Sequence, residues 1–178
     1  MNAPLSDDEM QRMRQFHKSA KAYCNFIDSL AHGKPAELYE PLIRLLLALA
    51  HDALDLPRCG HGGKRDYVEQ DLSADQRAAV SRMIDGVTAD ARRGLMARYD
   101  ALETPDEEAK TRVFMLFTDL AETHSDVTDG IRRFELGTQD AIESALWDWR
   151  FGFESHWGDH LFRALTTLYE IRYQAYEC

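Results

Sequence analysis

Cysteine is scarce in this chain: three in 178 residues, at Cys24, Cys59 and Cys178. The count is odd, the spacings are wide and no Cys-x-x-Cys pair occurs. A disulfide framework, a thiolate zinc site and a dithiol redox site therefore have no support, and reduced thiols fit a cytoplasmic protein. Bases are also in short supply, 21 against 31 acids for a net charge of −10. Nucleic acid and anionic membranes attract basic patches, so neither is expected as a partner. No long apolar run is present: the most apolar window, Leu42 to Ala50, falls far short of the roughly 20 residues of a membrane span. Met1 to Met10 is acidic and does not read as a signal peptide. Prolines number only five and glycines ten, and strand-like alternation is nearly missing. The expected fold is all-α.

What the chain has is apolar mass at helical spacing. Aliphatic, aromatic and cysteine residues make up 44% of it, enough for a real core. The length fits one domain over residues 1–178, a bundle of about five main helices. The first helix is expected from Ser6, which with Glu9 forms a capping box, to His32-Gly33, burying Met13, Phe16, Ala20, Tyr23, Ile27 and Leu30. The second is expected from Pro35 to about Leu54, with Leu38, Leu42, Leu45, Leu46, Leu49 and Ala53 as its stripe. Residues 55–72 read as an exposed Gly-rich loop. Its Pro57 to Arg65 run is locally basic and could hold an anion on backbone N–H groups. It lacks both the phosphate-loop spacing and a preceding strand, which favours the plain loop. A third helix is expected from Ser73 to about Tyr99. A fourth starts at Thr104-Pro105-Asp106-Glu107 and is stopped by Gly137; a fifth runs from Thr138 to about Tyr176.

Two helical wheels define the candidate site. On the fourth helix Val113, Leu116, Phe117, Leu120, Val127, Ile131 and Phe134 share one side, with His124 in their midst. Asp119, Glu122, Asp126 and Asp129 share the other. The plain reading of that acid stripe is a solvated face; the sharper one is a carboxylate wall facing a cleft or a cation. The fifth helix carries all three tryptophans in Trp147-Asp148-Trp149-Arg150-Phe151-Gly152-Phe153-Glu154-Ser155-His156-Trp157-Gly158-Asp159-His160. Its polar arc is narrow, so it is expected near the centre of the bundle. The wheel puts Glu154 inside the apolar arc, where a carboxylate needs a partner; Arg150, one turn back, is the nearest. Gly152 and Gly158 suit a close helix approach or a bend.

His156 and His160 stand one turn apart where the apolar arc meets the polar one. Two histidines at i, i+4 can share a metal ion, but the glutamate of His-Glu-x-x-His is missing. The pair supplies two ligands where zinc or iron usually takes three or four from protein. His17, His124, Asp119, Glu122 or Asp126 would have to complete the set. The plain alternative is a structural pair, each imidazole giving one N–H to a carboxylate or carbonyl.

The segment Asp119-Leu120-Ala121-Glu122 with Asp126, followed by Trp149-Arg150-Phe151, Phe153-Glu154 and His156-Trp157-Gly158-x-His160, resembles a bacterial family known only as domain of unknown function 5063. The resemblance runs from about Tyr23 to the last helix, and its Trp-rich His-Trp-Gly-x-His block is the most specific part. It implies an all-helical fold, no assigned activity, and Asp119, Asp126, Trp149, Phe153, His156, Trp157, Gly158 and His160 as family-type positions. It also implies an aromatic residue more often than histidine at position 124, which argues against a ligand role for His124.

Two functions follow. One is a non-catalytic module that binds a protein or small molecule, with Trp149, Phe153, Trp157 and Glu154 as candidate contacts. The other is a metal-dependent enzyme of hydrolase type, with a divalent metal on His156 and His160 completed by Asp119, Glu122 and Asp126. The first is favoured, because no complete ligand set can be written.

Overall fold

The structure is a computed structural model that describes residues 5–29, 39–58 and 107–173. The expected third helix, most of the Gly-rich loop and the expected starts at Pro35 and Pro105 lie outside the described residues. The described residues form five α-helices and no strand: α1 (Asp7–Ser29), α2 (Tyr39–Asp55), α3 (Glu107–Glu135), α4 (Gln139–Ser155) and α5 (Trp157–Tyr173). The fold is an all-α bundle.

Local chemistry sets the helix ends. The Ser6 backbone N–H donates to Glu9 Oε2 at 2.8 Å and the Glu9 N–H returns a bond to Ser6 Oγ at 3.3 Å, completing the expected capping box. The same backbone bond from Ser6 holds the Glu9 carboxyl below its ordinary value. At the end of α3, Gly137 takes a φ of +71°, the left-handed conformation that glycine reaches without a Cβ penalty. Thr138 then caps α4, its hydroxyl accepting from the Ala141 N–H at 3.3 Å. A hairpin of two helices results.

Packing follows the apolar stripes. Helix α3 packs against α1, α4 and α5, while α2 packs on α1 and α5. Of the predicted faces of the first two helices, Met13, Phe16, Ala20, Tyr23 and Ile27 on α1 and Leu42, Leu46, Leu49 and Ala53 on α2 are buried, and Leu45 is half-buried against them. Trp149 and Trp157 are both fully buried. An indole buries on the order of 200 Å², so each contributes about 5 kcal/mol of gross transfer energy before entropy is charged. No described helix is long and apolar enough to cross a membrane.

The expected fifth helix is corrected: it is two helices. α4 ends on Ser155, His156 leaves the helical region with φ −149° and ψ −82°, and α5 begins at Trp157. Gly158 permits this break. A Cβ on it would lie 2.1 Å from the Phe153 carbonyl oxygen, so the new helix can start against the end of the old one only where no side chain intervenes. The wheel drawn through the whole segment therefore misplaces residues. Glu154 is not buried; its side chain is 55% exposed. Phe151 is 45% exposed and stacks on half-buried Trp147 with ring centroids 4.6 Å apart.

Candidate functional site

The acids of α3 do not behave as one stripe. Asp119 is 1% exposed, Asp126 is half-buried and Glu122 is exposed. The reason is that α3 is covered on a second side by α5, which the α3 sequence alone does not reveal. A buried carboxylate must be compensated, and α5 supplies the groups. His160 Nδ1 lies 2.8 Å from Asp119 Oδ1, and Arg163 donates to the same oxygen from Nε at 3.1 Å and Nη2 at 3.0 Å. Arg163 also pairs with Asp159, one turn back. These hydrogen bonds, that to Asp119 foremost, raise the Arg163 pKa.

One turn toward the helix break, His156 Nδ1 lies 2.6 Å from Asp126 Oδ2. Asp119 and Asp126 are two helical turns apart on α3, while His156 stands at the break and His160 lies inside α5, so each imidazole meets a different carboxylate. The break does not separate the imidazoles. The His156 carbonyl accepts from the Asp159 N–H at 3.1 Å, and the two rings meet edge to face with centroids 4.8 Å apart.

Each imidazole thus turns Nδ1 to a carboxylate of α3. A carboxylate only accepts, so the Nδ1–H tautomer is favoured and Nε2 keeps its lone pair. His160 has a competitor, because Arg163 Nη2 lies 2.7 Å from its Nδ1. An N–H from Arg163 to that nitrogen selects the other tautomer and makes Nε2 a donor. The group can therefore offer a ligand either a lone pair or an N–H at His160, and a lone pair at His156.

The remaining candidates fall elsewhere. Trp149 donates its indole N–H to the Val127 carbonyl at 3.1 Å and packs on Phe16 and Phe134, with centroids 4.8 and 5.5 Å away. Trp157 packs on Phe16 and Phe153. Both indoles are core and line no surface groove; Phe153 is half-buried beside exposed Phe162. Glu154 joins Arg150 at 2.7 Å, and Arg150 Nη1 reaches the carbonyls of Ala53, Leu54 and Leu56 at 3.1, 2.9 and 3.4 Å. That pair closes the end of α2, where unpaired carbonyls need donors. His17 goes to Glu135 at 3.3 Å and His124 to Asp28 at 3.0 Å. Among the described residues, no group of three or more His, Cys, Asp or Glu is arranged to hold a metal ion.

Sequence reasoning missed Arg163 and Asp52. Arg163 follows His160 by three and Asp159 by four, the spacing that lets one guanidinium serve both, and that signal was readable. Asp52 sits in the α2 stripe three residues after Leu49 and is buried. Burial raises its pKa, but bonds from Ser19, His51 and Gln15 outweigh this and leave it lowered. It lines an open polar cleft of about 390 Å³ between α1 and α2, with Asp8, Arg12, Arg14 and Asp55. None of the histidine-face residues lines that cleft.

Comparison with known proteins agrees with this architecture. The crystal structure of protein BF1032 from Bacteroides fragilis is 20% identical to the chain, with 92% of this chain and 93% of that chain covered and a TM-score of 0.65. At that identity the likeness establishes the fold alone. No curated protein matches the chain. The family described as "Domain of unknown function (DUF5063)" matches residues 7–174, a span that takes in α1 through α5 and both histidine–carboxylate pairs. The chain belongs to the DUF5063 family.

Proposed function

We propose that the chain acts as one all-helical, non-catalytic binding domain, and that its ligand contacts the face formed by His156 at the α4–α5 break and His160 on α5, with Asp126 of α3 beside them and buried Asp119 behind His160. The observation that carries this reading is the pairing of both imidazoles, through Nδ1, with carboxylates of one neighbouring helix. The two rings, held through Nδ1, sit where α4 gives way to α5, His156 exposed and His160 half-buried. Helix-anchored side chains lose little freedom when a ligand arrives, which favours binding. A cytoplasmic setting goes with it, supported by the buried, unpaired Cys24, whose thiol burial pushes up to about 12. The acidic balance favours a small molecule or protein over nucleic acid as the partner.

The same Nδ1 anchoring favours a second reading, a metal-dependent enzyme of hydrolase type on His156 and His160. Carboxylates behind metal-binding histidines usually occupy this outer position. In that reading Asp119 and Asp126 orient the histidines and do not ligate, which leaves the set short of three protein ligands.

The test is a thermal-shift screen of polar, metabolite-sized compounds in EDTA, run on the parent and on His156→Ala/His160→Ala. A compound that raises the Tm of the parent and not of the double variant supports the binding face. The reading is refuted if no compound moves the parent, or if every shift survives in the variant. Stoichiometric metal in the purified parent that disappears from the double variant would move the balance to the enzyme.

A further inference from the structure

The outer face of α5 carries a pattern that its packing in the bundle does not use. Trp157, Leu161, Ala164 and Leu168 bury the inner face of this helix against α2, α3 and α4. At 100° per residue, Phe162, Tyr169 and Tyr173 lie about 130° round the wheel from that set. They are 50%, 54% and 47% exposed. A single exposed aromatic is ordinary on a protein surface, but these three follow one line with exposed Thr166, at spacings of four, three and four residues. The rings of Tyr169 and Tyr173 pack with centroids 5.1 Å apart. A repeat of about 3.5 residues is the seam by which one helix meets another, so α5 carries a second seam outside the bundle.

The chemistry along that seam selects a second copy of this chain. In an antiparallel two-fold pair with Thr166 facing its own copy at the axis, Phe162 of each chain meets Tyr169 of the other. Thr166 is small enough for a close axis. Its hydroxyl already donates to the Phe162 carbonyl at 2.9 Å, so covering it strands no polar group. On one flank the same register sets Arg163 of each chain opposite Glu170 of the other, positive against negative. Asp159 and Glu170 beside the seam, in a chain of net charge −10, disfavour an anionic membrane as the occupant. The area sets the strength. An aromatic side chain presents about 200 Å², so three half-exposed rings offer roughly 300 Å² per copy, about 600 Å² in a pair. The polar flanks have to supply the rest of the roughly 1,200 Å² at the low end of specific interfaces, which puts the pair in the weak, reversible class.

We propose that α5 is a self-association helix, and that two chains pair antiparallel through Phe162, Thr166, Tyr169 and Tyr173 into a weak two-fold dimer. The seam lies about 160° round α5 from His160, so the dimer leaves the histidine face open and stands or falls separately from it.

Sedimentation equilibrium of the full-length chain under reducing conditions, from about 1 μM to about 1 mM, tests the inference. The average mass should rise from one chain toward two across that range. Phe162→Lys and Tyr169→Lys should each weaken association about tenfold or more, with circular dichroism unchanged because both side chains are exposed. The register has its own readout. Thr166→Cys, in a chain carrying Cys59→Ser and Cys178→Ser, should give a disulfide-linked dimer on oxidation, while Gln139→Cys at the exposed start of α4 should not. A chain that stays monomeric throughout overturns the inference and leaves the seam to a different protein. A dimer that both Lys variants form as readily as the parent also overturns it, because its interface then lies elsewhere. Equal cross-linking from Gln139→Cys overturns the axis at Thr166, since chance collision would explain both.

Discussion

Gly130 lies in the interior of α3, where general helix propensity predicts that alanine would be better by about 1 kcal/mol. The structure predicts the opposite sign for Gly130→Ala. A Cβ there would stand 2.0 Å from Nε1 of Trp149 and 2.5 and 2.6 Å from Cδ1 and Cε2. Ordinary contact is near 3.5 Å, so the indole must retreat by roughly 1.5 Å. It has no room to do so, being fully buried between Phe16 and Phe134. Retreat also lengthens its bond to the Val127 carbonyl, now 3.1 Å. Overpacking costs about 1–3 kcal/mol and an orphaned buried N–H about 1–3 kcal/mol more. Against the propensity gain, the net loss is about 1–5 kcal/mol. Urea unfolding followed by circular dichroism and tryptophan emission measures it, as a lower midpoint with the slope unchanged. Trp149→Phe removes the clashing nitrogen, so Gly130→Ala should cost less in that background than in the parent, a positive coupling in a double-mutant cycle. A Gly130→Ala variant as stable as the parent, or more so, would refute the reasoning.

Other perturbations have definite signs. Arg150→Ala should cost about 1–3 kcal/mol, because three carbonyls at the end of α2 lose their donor; Glu154→Ala should cost under about 1 kcal/mol, as an exposed ion pair does. Both are read from denaturation midpoints. Asp119→Asn should destabilise by about 1–3 kcal/mol, less than a wholly buried pair, since Arg163 is 47% exposed and keeps Asp159. His124 should give a pH-dependent term. Burial lowers its pKa against the charge and hydrogen bond of Asp28, with Arg132 lowering it further. The unfolded chain then takes up the proton first, so the His124 contribution is whole above about pH 6.5 and declines as pH falls below it. His51 is shifted upward by its bond to Asp52 and contributes the other way, lost as pH rises through its raised value. The difference between the parent and His124→Phe, measured from pH 5 to 8, isolates the His124 slope; a flat difference would contradict it.

Much of the fold was legible in the residues because it depends on neighbours a few positions apart. Capping by Ser6 and Glu9, the stop at Gly137 and the buried stripes of α1 and α2 are set by helical periodicity and by which side chains reach nearby backbone. The i, i+4 relation of His156 and His160 belongs to the same class, as does the pairing of Glu154 with Arg150. The break at His156 did not show, because it depends on Gly158 lying against the Phe153 carbonyl, a contact between two helix ends and not a property of one helix. Drawing the wheel through that break buried Glu154 and Phe151 on paper, although both are exposed.

The amino-acid sequence by itself determined that this is an all-helical chain with a histidine pair one turn apart. Only the tertiary structure decided which acids meet that pair. Asp119 and Glu122 are three residues apart on one helix and look equivalent on a wheel, yet one is buried against α5 and the other faces solvent. A wheel records angle about one axis. Burial of a charge depends on where a second axis crosses it, and on whether that second helix brings a His160 and an Arg163 to compensate.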